Sequence, residues 1–242
     1  MPVLCDDVGV SADESCQVWW AGPVGPDAAP GLLALLDGHE RDRLARFRQP
    51  PDRARYLAAH ALARLVLAPL VGRPPAALVF DRRCRCGEQH GKPTLPGGPE
   101  FSLTHGGELV GVAVRPAGGP VGLDVEPVRE LSDLDGLVRH VSSPAELARA
   151  QPVTPDAFLT AWTRKEALLK ATGDGISSPM SAITLGPGGV TCWTGEGAPT
   201  NPLWLHDLVP GPGYRAAVAG LGPPPTGIVE QDARGLLGTL LP

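Results

Sequence analysis

Lysine is nearly absent from this 242-residue chain: of 21 basic side chains, only Lys92, Lys165 and Lys170 are lysines, and arginine supplies the rest. Arginine therefore serves wherever a generic positive charge will do, and a lysine marks a place that wants a compact ammonium with three rotatable donors. A basic excess is missing too. The net charge of −5 and the pI near 5.7 exclude a general nucleic-acid binder. No apolar run approaches a transmembrane span, so no membrane is expected. The opening MPVLCDDVGVSADES lacks the basic and apolar segments of a secretory signal. The five cysteines are odd in number and have no disulfide spacing, which suits a reducing cytoplasm. Cys84, Cys86 and His90 lack the second half of a zinc pattern. The chain contains no G-x-x-x-x-G-K-[ST], no G-x-G-x-x-G with an acidic partner and no H-E-x-x-H, which sets aside P-loop, dinucleotide-fold and zinc-peptidase chemistry.

What is present is a globular composition. Apolar residues make up 43%, and 31 glycines and 28 prolines are spread through turns without a period. That content and length allow one large domain or two small ones. Gln17–Ala21 reads as a first strand, and residues 31–47 as helical pieces broken near Gly38. The arginine run Arg41, Arg43, Arg46, Arg48 reads as a solvated face. Asp52 is expected to cap a helix that Pro69 stops after Ala68, with Leu57, Ala61, Leu65 and Ala68 as its inner stripe. Arg53 and Arg55 oppose the dipole in its first turn, which makes Arg55 a candidate anion ligand.

Strands are expected over residues 78–82, 101–105, 109–115 and 121–126, with a boundary at Pro116–Pro120. Ser143-Pro-Ala-Glu146 has the form of a capping box. Four further strands near residues 182–185, 190–194, 203–208 and 214–219 form a meander, and the tail from Thr226 has no assignment. This order implies an α+β (α/β) fold in two similar lobes, 1–119 and 120–242, each a small, mostly antiparallel sheet packed with helices.

The chemistry gathers around residues 154–175. Thr154 caps a helix there, Pro155 suits its first position and Gly173 closes it. Phe158, Leu159, Trp162, Lys165, Glu166, Leu169 and Lys170 share one stripe, with Leu168 off it. Charges inside an aromatic stripe point to a site, although Glu166 and Lys170 also have the spacing of a plain surface pair. Asp124 and Glu126 lie on one face of a strand, roughly 7 Å apart. They form a hard, all-oxygen half-site that suits Mg²⁺ with water and phosphate, and Glu166 can supply a third carboxylate. Lys92, His105, Lys165 and Lys170 then surround a polyanionic ligand.

Four segments, GKP (91–93), FSLTHG (101–106), VGLDVE (121–126) and WTRKEALLKATGDG (162–175), match in order and spacing the 4′-phosphopantetheinyl transferases of the surfactin-synthetase-activating type. DRARYLAAHALAR (52–64) resembles the same family's arginine-bearing helix. The chain is longer than the short, trimeric carrier-protein synthases, which points to the long, monomeric, two-lobed class with a pseudo-twofold.

The resemblance implies that coenzyme A donates its phosphopantetheine arm to a serine of an apo acyl or peptidyl carrier protein domain, releasing 3′,5′-ADP. Such domains belong to polyketide, fatty-acid or non-ribosomal peptide synthases. It also implies Mg²⁺ on Asp124, Glu126 and Glu166. Arg55, Lys92, Pro93, Thr104 and His105 would hold the nucleotide and phosphates, and Lys170 with Lys165 would meet the diphosphate. Glu166 would be the base, and Asp124, His105 and Lys170 complete the catalytic set. Gly106 departs from the family's Ser-His-Ser and removes one phosphate contact. The alternatives are a Mg²⁺-dependent hydrolase of CoA-like diphosphates and a non-catalytic CoA- or carrier-binding protein.

Overall fold

In the computed structural model, which describes residues 14–84, 87–89, 91–149, 152–173, 178–195 and 197–238, two sheets pack face to face and each carries a long helix on its outer side. The first sheet has the order β2-β3-β1-β9. Its strands are β1 (Cys16–Ala21), β2 (Glu100–Gly106), β3 (Leu109–Arg115) and β9 (Ile228–Asp232). The second sheet, β4-β8-β7, comprises β4 (Val121–Pro127), β7 (Leu203–Leu208) and β8 (Tyr214–Leu221). A separate hairpin pairs β5 (Ile183–Gly186) with β6 (Gly189–Trp193). The expected meander is therefore divided between two sheets.

The layers follow from alternation along the strands. Val18, Trp20 and Ala113 of the first sheet meet Val121, Leu123, Val125 and Val218 of the second in one buried cluster. The outer face of the first sheet packs on α3 (Pro50–Val71), and the outer face of the second on α6 (Pro155–Thr172). Gly118 and Gly119, at φ 90° and 94°, turn the chain from one sheet to the other. Only glycine adopts that backbone without strain.

Several expectations need correction. Helix α3 begins at Pro50, not Asp52, and runs through Pro69 to a left-handed Gly72 with φ 64°. A proline in the last turn removes one hydrogen bond but does not break the helix, and the glycine ends it. By length and composition α3 could also cross a membrane, contrary to the expectation that no segment could. Here it is a core helix, and its fully buried Arg64 pairs with Glu40. Burial extends around most of α3, and Leu65 of the expected inner stripe is only partly buried.

Residues 78–82 form no regular strand. Only Asp81 bridges, to Thr94, because a 3-10 turn at Pro75–Ala77 and Arg82's inward ion pairs set the path. The short helices are α1 (Pro30–Leu33), α2 (Gly38–Arg46), α4 (Leu134–Val141), α5 (Pro144–Leu147) and α7 (Arg234–Gly238). The Ser143–Glu146 capping box forms as read, whereas α4 was not anticipated. The unassigned tail supplies β9, parallel to β1, and α7 on α3. A cut between residues 119 and 120 thus separates these tail elements from the sheet they complete. Cys86, His90, the amino-terminal stretch to residue 13 and the last two residues of the 162–175 motif lie outside the described residues.

Candidate active site around an edge strand

β4 pairs with β8 only, so its other edge faces β2 with main-chain groups to satisfy. Side chains do this. Leu123 N donates to Ser102 Oγ at 3.1 Å and Val125 N to Thr104 Oγ1 at 3.2 Å. The Val121 carbonyl accepts from Lys92 Nζ at 2.7 Å and the Leu123 carbonyl from Lys170 Nζ at 3.0 Å. Buried backbone needs such partners, and an unpaired edge needs cover. All three lysines follow one pattern, a main-chain carbonyl plus a carboxylate. Lys92 adds Glu100 at 3.5 Å, Lys170 adds Asp124 at 2.7 Å, and Lys165 takes Val141 O at 2.9 Å with Glu146 at 2.6 Å. A compact ammonium with three donors suits this better than a planar fork.

The other face of β4 meets α6, whose ends form as read: Thr154 Oγ1 accepts from Ala157 N at 3.2 Å and Gly173 is left-handed. A Cβ at Gly122 would collide with the Ala167 carbonyl and reach the Lys170 Cβ. Glycine there lets the helix backbone lie directly on the strand, and this close approach brings Lys170 and Glu166 to Asp124.

Asp124 is 6% exposed. Its Oδ1 accepts from Lys170 Nζ at 2.7 Å and from Thr104 Oγ1 at 3.3 Å, whereas Oδ2 is buried with no partner among the described residues. Burial raises the carboxyl pKa against the pull of Lys170. Glu126 is half-buried and takes a 3.0 Å hydrogen bond from Arg129 Nη1. Burial raises its pKa, Arg129 opposes that and the charge on Asp124 adds to it. Glu166 is raised first by burial, with Lys170 opposing and Asp124 and Glu126 contributing. Charge on each of Asp124 and Glu126 thus raises the Glu166 carboxyl, and charge on Asp124 raises Glu126.

The donor set fits a divalent cation, being all oxygen and acidic, with one buried oxygen left over. Among the described residues no three His, Cys, Asp or Glu side chains are drawn within ligating reach of one another. Lys170 and Arg129 hold Asp124 and Glu126 instead.

His105 reaches the surface at the same end of β2. Desolvation on its inner side lowers its pKa, followed by the fields of Lys170 and Arg55. Arg55 Nη1 donates to the Gly107 carbonyl at 3.1 Å and Nη2 to Asp52 at 2.6 Å. At Gly106 a Cβ would stand 2.5 Å from the Val125 carbonyl, so the departure from serine matches the tight crossing of β2 over β4.

Three expected ligands serve otherwise. Lys165 is 1% exposed and points to the opposite flank of α6, toward α4 and α5. Thr104 is buried, and its hydroxyl is committed to Val125 N and Asp124. Lys92 is desolvated, which lowers its pKa against Glu100, and it is committed to the start of β4. The reason is common to all three: each is spent on backbone or carboxylate groups that burial would otherwise orphan.

The sequence reading missed a cavity of about 320 Å³ whose lining includes Arg43, Arg46, His60, Arg82, Gly91 and Pro93. Arg41, Arg43, Arg46 and Arg48 form the solvated face read from the sequence, and Arg43 and Arg46 of that run also border the cavity. Arg82 Nε is buried there without a partner among the described residues. Its Nη2 is held by Glu40 at 2.7 Å and Asp37 at 3.1 Å. Charge clustering was the available signal, but only the packing of α2 against α3 sets the exposed Arg43 and Arg46 beside Arg82.

Residues 120–218, which hold β4 and α6, match the 4′-phosphopantetheinyl transferase superfamily. The 4′-phosphopantetheinyl transferase HetI of Nostoc sp. is 35% identical over 201 residues, 79% of this chain and 81% of that protein. The chain belongs to the 4′-phosphopantetheinyl transferase superfamily. The 4′-phosphopantetheinyl transferase Sfp of Bacillus subtilis (strain 168) is 24% identical over 209 residues, covering 83% of this chain and 89% of that one. Likeness thus extends beyond the superfamily match into the half that carries α3 and β2. As a phosphopantetheinyl transferase the chain is an enzyme, and Asp124, Glu126, Glu166 and Lys170 all lie within the matched region.

Proposed function

We propose that this phosphopantetheinyl transferase moves the phosphopantetheine arm of coenzyme A onto a serine hydroxyl of an apo acyl or peptidyl carrier domain. The observation that carries the reading is the buried Asp124, its Oδ2 unpartnered, lying in one field with Glu126, Glu166 and Lys170. In the transfer the serine oxygen bonds to the phosphorus bearing the pantetheine arm. The phosphoanhydride bond breaks and 3′,5′-ADP leaves. Such a step needs in-line positioning and charge neutralisation more than covalent catalysis.

Asp124, Glu126 and Glu166 are the residues that would hold Mg²⁺, which when bound neutralises the diphosphate. Lys170, which unlike Lys165 stays partly exposed, would exchange Asp124 for a diphosphate oxygen. Glu166, its pKa raised by burial and its acidic neighbours, takes the serine proton. Arg55 adds positive field where the phosphates pass, the neutral His105 ring offers an N–H donor, and the cavity walled by Arg43, Arg46 and Arg82 suits the charged nucleotide end. Pro93 lines that cavity. In this reading the enzyme works as a cytoplasmic monomer with two pseudo-twofold lobes, serving carrier domains of polyketide, fatty-acid or non-ribosomal peptide synthases.

Intact-mass analysis of a panel of apo-carriers incubated with coenzyme A and Mg²⁺ tests the proposal. The expected result is a gain of one phosphopantetheine on at least one carrier, abolished by chelator. Rapid nucleotide release without carrier would indicate a hydrolase. Binding of coenzyme A with no mass gain on any carrier would indicate a binding protein.

A further inference from the structure

The catalytic helix is pinned from the flank away from the proposed site. Lys165 sits where α4 ends and α5 begins, donating to the last α4 carbonyl, Val141 O, at 2.9 Å and to Glu146 Oε2 at 2.6 Å. That junction joins the negative end of one helix to the positive end of the next, which suits an ammonium and a carboxylate side by side. Glu146 is a hub. Its Oε2 also accepts from Ser143 N at 2.7 Å, and its Oε1 accepts from Leu185 N of β5 at 2.8 Å. Burial alone would raise the Glu146 carboxyl pKa, but Lys165 and the two amides hold it below its usual range.

On the other flank, α6 meets β4 through Gly122, Ala167 and Ala171. Small residues allow this close approach, and the rotation of the helix about its axis is left to its other flanks, where Leu168 and Leu169 pack with Ile183 and Leu185 and Lys165 meets Glu146. Glu166 is the next residue after Lys165, about 100° further round.

We propose that Lys165 and Glu146 are a positioning pair that sets the rotation of α6 and so holds Glu166 and Lys170 against Asp124. This rests on the transferase reading of that site. Neither residue touches the proposed substrate region. A buried ion pair contributes little net stability compared with an apolar replacement, whereas it defines geometry well.

The test compares Lys165→Met with Lys165→Met/Glu146→Gln. The single variant leaves a buried carboxylate uncompensated and is expected to lose stability. The double variant removes both charges and keeps an acceptor for one of the two amides, and its Tm is expected to recover most of the single variant's loss. Its kcat for carrier modification should still fall about 10- to 100-fold, with KM for coenzyme A changed less than about two-fold, as for a misplaced catalytic group.

Recovery of kcat together with Tm in the double variant would overturn the proposal, because the pair would then be merely structural. Should the double variant not fold, Lys165→Arg, which keeps the charge but alters donor geometry, is read by the same kcat-against-KM criterion. A crystal structure of the folded variant supplies a readout independent of activity. Displacement of the Glu166 carboxylate from Asp124 by about 1 Å or more is expected, and an unmoved Glu166 refutes the pair's role. Absence of carrier modification by the parent enzyme would instead count against the transferase reading.

Discussion

Glu166 shows how a single residue can be costly to the fold and suited to the proposed chemistry. Its raised pKa means that the ionised form is disfavoured in the folded chain relative to the unfolded one. At pH values above that raised pKa, removing the charge therefore stabilises the metal-free protein. Glu166→Gln should raise Tm measured without divalent cation. The same variant should modify carrier about 10²- to 10⁴-fold more slowly. Thermal unfolding in chelator beside a carrier-modification assay checks both, and a lowered Tm would contradict the shared-field account. At this scale the acids were legible, because alternation on a strand places Asp124 and Glu126 on one face. The direction of Lys165 was not, since on a helix buried along two flanks a shared stripe does not say which neighbour a long side chain reaches.

Between elements, α2, α3 and the segment around Arg82 are joined by a buried ionic cluster. Asp37 and Glu40 form a capping box at the start of α2. Fully buried Glu40 also meets Arg64 of α3 at 2.6 Å, Arg82 at 2.7 Å and His60 at 3.0 Å. Burial would raise the Glu40 carboxyl, yet His60, Arg64 and the Asp37 amide lower it from 4.5 to about 2. A depressed folded pKa contributes stability that is fully present above the unfolded value and is lost as pH falls from near 4.5 toward 2. Its size is on the order of 3 kcal/mol. Urea unfolding at pH 6 and pH 3 should show a loss of this order, and Glu40→Gln should be less stable at pH 6 with a flatter dependence below pH 4.5. An unchanged slope in that variant would remove Glu40 as the source. The boundaries of α6 and the α5 capping box were legible because they depend on local chemistry, namely Thr154, Pro155, Gly173 and Ser143-Pro-Ala-Glu146. The end of α3 was not, because tertiary burial carries the helix past Pro69 to a glycine that can adopt a left-handed turn.

At the scale of the whole molecule, the tail ties the end of the chain back to its first strand. β9 runs parallel to β1, Trp20 Nε1 donates to Glu230 at 2.8 Å, and Ala233 and Leu237 belong to the α3 core cluster. Truncation after Gly227 would expose the β1 edge and remove that packing. The shortened chain should therefore lose soluble yield and cooperative unfolding, even though it keeps every residue proposed for the chemistry. Exposed strand edges favour association. Expression and thermal unfolding of the truncated chain check this, and a soluble protein with an unchanged Tm would show the tail to be dispensable.

The sequence by itself determined the kind of chemistry and most of the elements that carry it. Turn and cap residues act over a few positions, and three acids spaced on a strand and a helix are recognisable without coordinates. Only the tertiary structure decided which partner each charged group took. Whether Lys92, Thr104 and Lys165 serve a ligand or the protein depends on where buried main-chain groups are left without hydrogen bonds. For Lys92 and Thr104 those groups appear when β4 becomes a sheet edge, and for Lys165 where α4 ends beside α5 against α6, through contacts between residues far apart in the chain.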